Sequence, residues 1–407
     1  MQGMTILSCW VMGALQGAIL ILIPEMMSQG QLSALQLALP LSLGTFVFMY
    51  CSGRWGTLLD KQFIAHQSLI VIIRWVLLGF FFSQLSFVLL LQFSDLQGIS
   101  IVLALCISRV LHGVFCSAII PSAQLILSRD DKKGEKLIWS SIATNVGRLS
   151  APLLTFVPLN IAYFSLWFIA AITLSALFLA WINQGISASK VIIAEDKKNS
   201  EVNSNATHIK ASRVLFSLFS NPLLLYVCLT ALLISLFSAQ LQFSLGPLLF
   251  AQFSNVKLAS EMTATLLFTA SGSALFSLFI LYRPLSRFPK VFLFIITSSL
   301  ITGTYLFVIQ QYLLLSIALI SSALSMAAPW YTALVMHASQ YNKARSSASV
   351  SQGHTLGNAF GGIMGGLFLG LGTEVLLVSF IVLVVFILLA WLAIYYQDCL
   401  IKNTLIS

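Results

Sequence analysis

Residues 99–136 read ISIVLALCISRVLHGVFCSAIIPSAQLILSRDDKKGEK. From Ile99 to Leu127 the one charged side chain is Arg109; directly after come Arg129, Asp130, Asp131, Lys132, Lys133, Glu135 and Lys136. An apolar run of about 20 residues is enough to cross a hydrocarbon core of about 30 Å. A basic cluster where such a run ends marks the cytoplasmic side of the bilayer. The stretch therefore reads as a membrane span closed by a cytoplasmic loop.

The same unit recurs in both directions along the chain. Hydrophobic residues make up 58% of the 407 positions and charged residues 8%, against roughly a quarter charged in soluble domains. Twelve spans are predicted, at 4–24, 35–53, 68–92, 99–127, 138–158, 160–182, 223–250, 258–282, 290–310, 312–337, 347–371 and 374–396. Lys and Arg fall almost entirely in every second connection: Arg54 and Lys61, the 129–136 cluster, Lys190 to Arg213, Arg283 to Lys290, and Lys343 with Arg345. Only Lys257 lies in an alternate connection. The bias places these loops and both termini in the cytoplasm, for a multi-pass protein of the plasma (inner) membrane with the lipid bilayer as its surroundings. The net charge of +9 thus follows from topology. Nucleic-acid binding is not expected, because the basic residues form no stripe.

The first apolar segment lacks a basic leader and a small-residue cleavage site, so it is expected to be retained as a span. Cys9, Cys51, Cys106, Cys116, Cys228 and Cys399 suggest no disulfide frame. No Cys/His spacing fits a metal, and no P-loop, paired carboxylates or nucleophile elbow is present, so neither a cofactor nor an enzymatic activity is expected. The polar stretch 183–212 reads as a cytoplasmic linker between an N-terminal six-helix bundle, 1–182, and a C-terminal one, 213–407. Residues 140–151, SSIATNVGRLSA, align with 346–357, SSASVSQGHTLG, at a constant offset of 206, pairing Gly147 with Gly353 and Ala151 with Gly357. Similarity at half the chain length is what a duplicated bundle leaves behind. The fold class is all-α integral membrane, with twelve transmembrane helices in two pseudo-symmetric six-helix bundles and a monomeric chain.

Two motifs carry a family resemblance. Gly56-Thr57-Leu58-Leu59-Asp60-Lys61 resembles the G-x-L-x-D-[RK] loop of the major facilitator superfamily, although Phe63 stands where that family has a second Gly. Arg109-Val110-Leu111-His112-Gly113 resembles its span-four R-x-x-x-G motif. Gly147-Arg148-Leu149-Ser150-Ala151-Pro152 resembles its export-associated G-x-x-x-G-P pattern, with Ala for the second Gly. The resemblance implies a twelve-span secondary transporter of the efflux branch. It also implies a conformational latch at Gly56, Asp60 and Lys61, a coupling or substrate role for Arg109, and a central cavity lined by spans one, four, seven and ten.

Charge inside a span is costly, about 2.5 to 3.5 kcal/mol on insertion scales, and so points to function. Arg74 is near enough to a span end to reach water along its own stem. Arg109 and Arg148 are near mid-span, with no acidic residue at that depth. Two such guanidinium groups suit a small-molecule anion, since Arg stays ionised and binds carboxylate or phosphate through a fork. The other reading is that they bond backbone carbonyls or amides such as Asn145. His112, one helical turn from Arg109, is a candidate proton carrier or a hydrogen-bonded helix contact, and Glu25 at the outer end of span one is a second coupling candidate. His354 occupies the repeat position of Arg148. Gln16 and Trp330, with Gln240, Gln242 and Tyr331, are candidates to complete a substrate site. Gly353, Gly357, Gly361 and Gly365 recur every fourth residue and predict a close helix contact. The expectation is proton-coupled export of a small organic anion, a polycarboxylate metabolite or siderophore for example. Proton-coupled import of an anion, and multidrug-type efflux of neutral or cationic compounds, are the alternatives.

Overall fold

The computed structural model describes residues 2–64, 69–93, 95–128, 138–157, 163–182, 222–338 and 343–406. Among them no strand occurs, and the helices fall into twelve spans. Span one is Gln2–Ile21, followed by the short helix Ile23–Gly30; spans two and three are Ala34–Ile64 and Leu69–Phe93; span four is Ile99–Cys116 with Ile119–Ser128. Spans five to seven are Ile138–Thr155, Phe164–Ile182 and Pro222–Phe253. Span eight is Val256–Phe276, continued by a π-turn Ser277–Leu281 and Tyr282–Leu285. Spans nine to twelve are Pro289–Val308, Leu313–Ala338, Lys343–Leu371 and Thr373–Ile406.

Ten of these are long and apolar enough to cross a membrane, so the chain is a multi-pass integral membrane protein. The two that fall short are spans five and eleven, the pair carrying the internal repeat. Their polar residues, Asn145 and Arg148 in one and His354 and Asn358 in the other, lower their apolar content.

Boundaries depart from expectation where proline intervenes. Span one stops at Ile21, and the chain restarts at Ile23 with Pro24 in the first turn, where a missing N–H leaves no hydrogen bond unmade. Span four breaks after Cys116 because Pro121 has no N–H to give the carbonyl of Ser117, four residues back. Pro152 stays inside span five and frees the carbonyl of Arg148, which faces Gly17 of span one. Span twelve continues well past residue 396.

The closest helix pairs are one with five and seven with eleven, and glycine makes both possible. A Cβ at Gly13 would fall 1.9 Å from the carbonyl oxygen of Thr144, and one at Gly147 would fall 2.1 Å from that of Trp10. In the other half, a Cβ at Gly357 would fall 2.2 Å from the oxygen of Leu232, and one at Gly361 2.5 Å from that of Leu236. The every-fourth glycine face of span eleven is therefore a packed interface against span seven.

One apolar cluster runs through spans seven to twelve and another through the first six. Ile21 joins the former and Phe243 the latter, which ties the halves together at the end remote from the termini. Gly246 meets Ile23 and Pro24 there, Gly366 meets Ala38 and the Ala34 carbonyl, and Phe46 packs edge-on to Phe360 with centroids 5.3 Å apart. The expected linker 183–212 and the whole 129–136 cluster lie outside the described residues.

Candidate functional site

Between the halves lies a cavity with about 1230 Å³ of empty space, its mouth included. Its wall comes from spans five, seven, eight, ten and eleven. Arg148 is the only Lys, Arg, Asp or Glu on that wall among the described residues. Its Nε and Nη2 both donate to Oε1 of Gln16, at 3.0 and 2.7 Å. Gln16 carries no charge, so it orients the guanidinium without neutralising it. The side chain remains solvent-exposed within the cavity. The repeat spacing puts Arg148 next to Gly147, which rests on Trp10 and Ala14, so the same close crossing that packs spans one and five aims the arginine.

His354 occupies the equivalent place on span eleven and also lines the cavity. Its Nδ1 lies 2.5 Å from Ser235 Oγ on span seven, and its Nε2 lies 2.9 Å from the hydroxyl of the buried Tyr331 on span ten. Either hydroxyl can donate or accept, so both ring nitrogens are satisfied in the neutral imidazole whichever one carries the proton. Gln242 is on the same wall and donates to Ser238 at 3.2 Å. Ser271, Ser321, Ser325 and Asn358 add further hydroxyl and amide groups.

Three solved structures with a similar helix arrangement are transporters by name. The D-xylose–proton symporter aligns over 97% of this chain and 96% of its own, with a TM-score of 0.71 and 12% identity. This is the major facilitator fold. A bacterial homologue of the human lysosomal transporter Spinster, inward-facing and unoccupied, covers 98% of this chain and 96% of its own (TM-score 0.67, 14% identity). A bacterial homologue of the iron transporter ferroportin, outward-facing, covers 98% and 99% (TM-score 0.62, 14% identity). No family model and no curated protein sequence matches the chain.

The major facilitator fold separates the residues that the sequence singled out. Gln16, Arg148 and His354 converge on the cavity and its immediate support. Arg109 does not line it; this side chain is buried, its Nε lacks a partner, and it packs against Gly44 of span two. His112 is buried beside Phe80, ring centroids 5.3 Å apart. Trp330 packs against Phe292 and Trp391 within the C-terminal half, while the adjacent Tyr331 reaches His354. Gln240 is buried and donates to Ser379 at 2.5 Å. Arg74 donates to the carbonyls of Ala180 and Trp181 at 3.0 and 3.2 Å, closing the end of span six.

Glu25 sits at the sealed end, on the short helix after span one. Burial pushes its carboxyl above the ordinary carboxylate value. Tyr163 lies near enough that burial and then the Glu25 charge hold its hydroxyl in the protonated form, and this hydroxyl donates to Gln29. In the latch motif, Gly56 lies in open space, with nothing within 4 Å of a Cβ built there, so no close helix approach depends on it. The side chains of Asp60 and Lys61 lie outside the described residues. The end of span two is tied to span four instead by Trp55, whose Nε1 donates to the Val114 carbonyl at 2.7 Å. Sequence reasoning missed the serine-rich wall of spans eight and ten. Isolated serines in an apolar span also bond their own helix, as Ser273 does with the Ala270 carbonyl, and so carry no distinctive signal.

Proposed function

We propose that this chain is a secondary transporter that carries a small organic anion across the plasma (inner) membrane by alternating access, the two halves rocking about the central cavity. The observation that carries the anion reading is Arg148: a permanently ionised fork, water-accessible, oriented by a neutral amide, and facing no carboxylate on the cavity wall. A guanidinium held open in this way gains a counter-charge when an anion binds and would repel a cation. The transporter reading is supported by the fold, whose neighbours are named for nucleoside, xylose and iron transport.

The contacts between the halves through Gly246, Ile23, Gly366 and Ala38 lie at the end remote from the termini, and the positive-inside bias assigns the termini to the cytoplasm, which supports an inward-facing reading. Export in exchange for protons is the direction favoured by the resemblance to the efflux branch from Ile23-Pro24 through Trp55-Gly56 to Asp60-Lys61. We assign proton exchange to His354, the titratable side chain on the wall, over His112 and Glu25, which lie away from it. The test is uptake of labelled mono-, di- and polycarboxylates by proteoliposomes holding the purified chain, with a pH gradient imposed in each sense. Exchange predicts anion uptake driven by an acidic lumen. Uptake driven by an acidic bath would identify symport, and transport of neutral or cationic compounds in preference to anions would overturn the anion reading.

A further inference from the structure

The two walls of the cavity differ in kind. On one wall, Gln16 of span one occupies the Nε–Nη2 edge of Arg148 of span five, at 3.0 and 2.7 Å. The Nη1–Nη2 edge still has two hydrogens to offer, the spacing that one carboxylate accepts. No second cation lies on the wall among the described residues, so a second carboxylate would sit there without a counter-charge, an expensive arrangement away from bulk water. Facing this single charge, spans seven, eight, ten and eleven present neutral groups: Ser238, Gln242, Ser271, Ser321, Ser325 and Asn358. The side chains of Ser271, Ser321 and Asn358 make no hydrogen bond among the described residues. The hydroxyl of Ser325 donates to the Ser322 carbonyl at 3.0 Å and keeps its oxygen as an acceptor. The same wall also carries aliphatic side chains, Leu241, Leu245, Leu275 and Ile320 among them, which pack against a carbon skeleton. Its polar groups hydrogen-bond hydroxyls, and a plain alkyl chain in their place would leave those groups unpaired.

Building on the anion reading above, we infer that the substrate is a hydroxylated monocarboxylate, of the sugar-acid type, with its one carboxylate on Arg148 and its hydroxyls on the serine and asparagine groups of the opposite wall. A polycarboxylate fits less well, because its further charges meet only neutral side chains.

The experiment uses the full chain in proteoliposomes and labelled gluconate and glucuronate as probes. Three competitors are compared: glucarate, which adds a second carboxylate; glucose, which removes the charge; and hexanesulfonate, which keeps one charge and removes the hydroxyls. Saturable uptake of at least one probe is expected, with each competitor at least about tenfold weaker than the unlabelled probe, a difference of one decade in affinity. The double variant Ser321→Ala, Asn358→Ala is expected to weaken probe uptake about tenfold while leaving inhibition by hexanesulfonate unchanged. Glucarate or hexanesulfonate competing as well as the probe would overturn the inference. Uptake of citrate but of neither probe would overturn it and leave the anion reading standing. Movement of neutral or cationic solutes alone, or of no solute by a folded, monodisperse protein, would overturn both.

Discussion

The two halves place different chemistry at one equivalent position. In the N-terminal half Arg148 reaches from span five to Gln16 of span one; in the C-terminal half His354 reaches from span eleven to Ser235 of span seven. Both depend on the same close crossing, with Gly147 seated on Trp10 and Gly353 on the Cys228 carbonyl. The duplication thus preserves packing and lets chemistry diverge. One wall keeps a fixed positive charge, and the other keeps a titratable ring tied to two hydroxyls.

The largest expected effect comes from breaking the shared crossing. Gly357→Leu must displace the backbone of span seven, since even a Cβ falls 2.2 Å from the Leu232 oxygen. Overpacking against backbone is expected to cost more than about 3 kcal/mol, read as lost monodisperse yield and a lowered thermal midpoint in detergent. Gly13→Leu, with its 1.9 Å clash at Thr144, is expected to do the same in the other half. Gly370→Ala, in open space within a helix, is the control, expected to be neutral or slightly stabilising by about 0.5–1 kcal/mol. Equal tolerance of all three would show that the crossings are not tight.

Next in size is the charge itself. Arg148→Lys keeps a cation but loses the fork that meets Gln16, so anion affinity is expected to fall about tenfold, about 1.4 kcal/mol, in saturation of uptake. His354→Gln keeps hydrogen-bonding capacity and removes titration. Anion affinity is expected to change less than about threefold, below 1 kcal/mol, while the dependence of flux on an imposed pH gradient disappears. If gradient dependence survives in that variant, the carrier is another group.

The smallest effect concerns the sealed end. Burial raises the Glu25 carboxyl above its ordinary 4.5, so the folded protein keeps a proton that the unfolded chain has already lost. Stability therefore falls as pH rises from 4.5 through the raised value, because the folded state binds more protons in that window. Glu25→Gln stays neutral throughout and is expected to flatten the thermal midpoint against pH across that range. An unchanged slope would place the titration elsewhere.

Much of the scaffold was legible in the sequence because it is written in one dimension. Apolar length and alternating charge locate the spans, and the every-fourth spacing of Gly353, Gly357, Gly361 and Gly365 announces a helix contact. The site was legible only in part, because depth along a helix does not give its rotation. Arg109 and Arg148 are both mid-span, yet one is turned against Gly44 and the other into the cavity. Trp330 and Tyr331 differ by a single step of about 100°, which sends the first into the core with Phe292 and the second to His354. Gln16 was identifiable as polar in a buried span, but its pairing with Arg148 depends on spans one and five crossing, and that contact spans 132 positions.

The most direct test compares Arg148→Gln with Arg109→Gln in the same reconstitution, measuring labelled-anion uptake per folded molecule. The cavity assignment predicts that Arg148→Gln folds normally and loses uptake by about a hundredfold or more, a loss of about 2.7 kcal/mol. Arg109→Gln is expected to alter stability or yield and to leave uptake per folded molecule within about threefold of the original chain. Uptake intact in Arg148→Gln and abolished in a fully folded Arg109→Gln would contradict the assignment and move the anion site to span four.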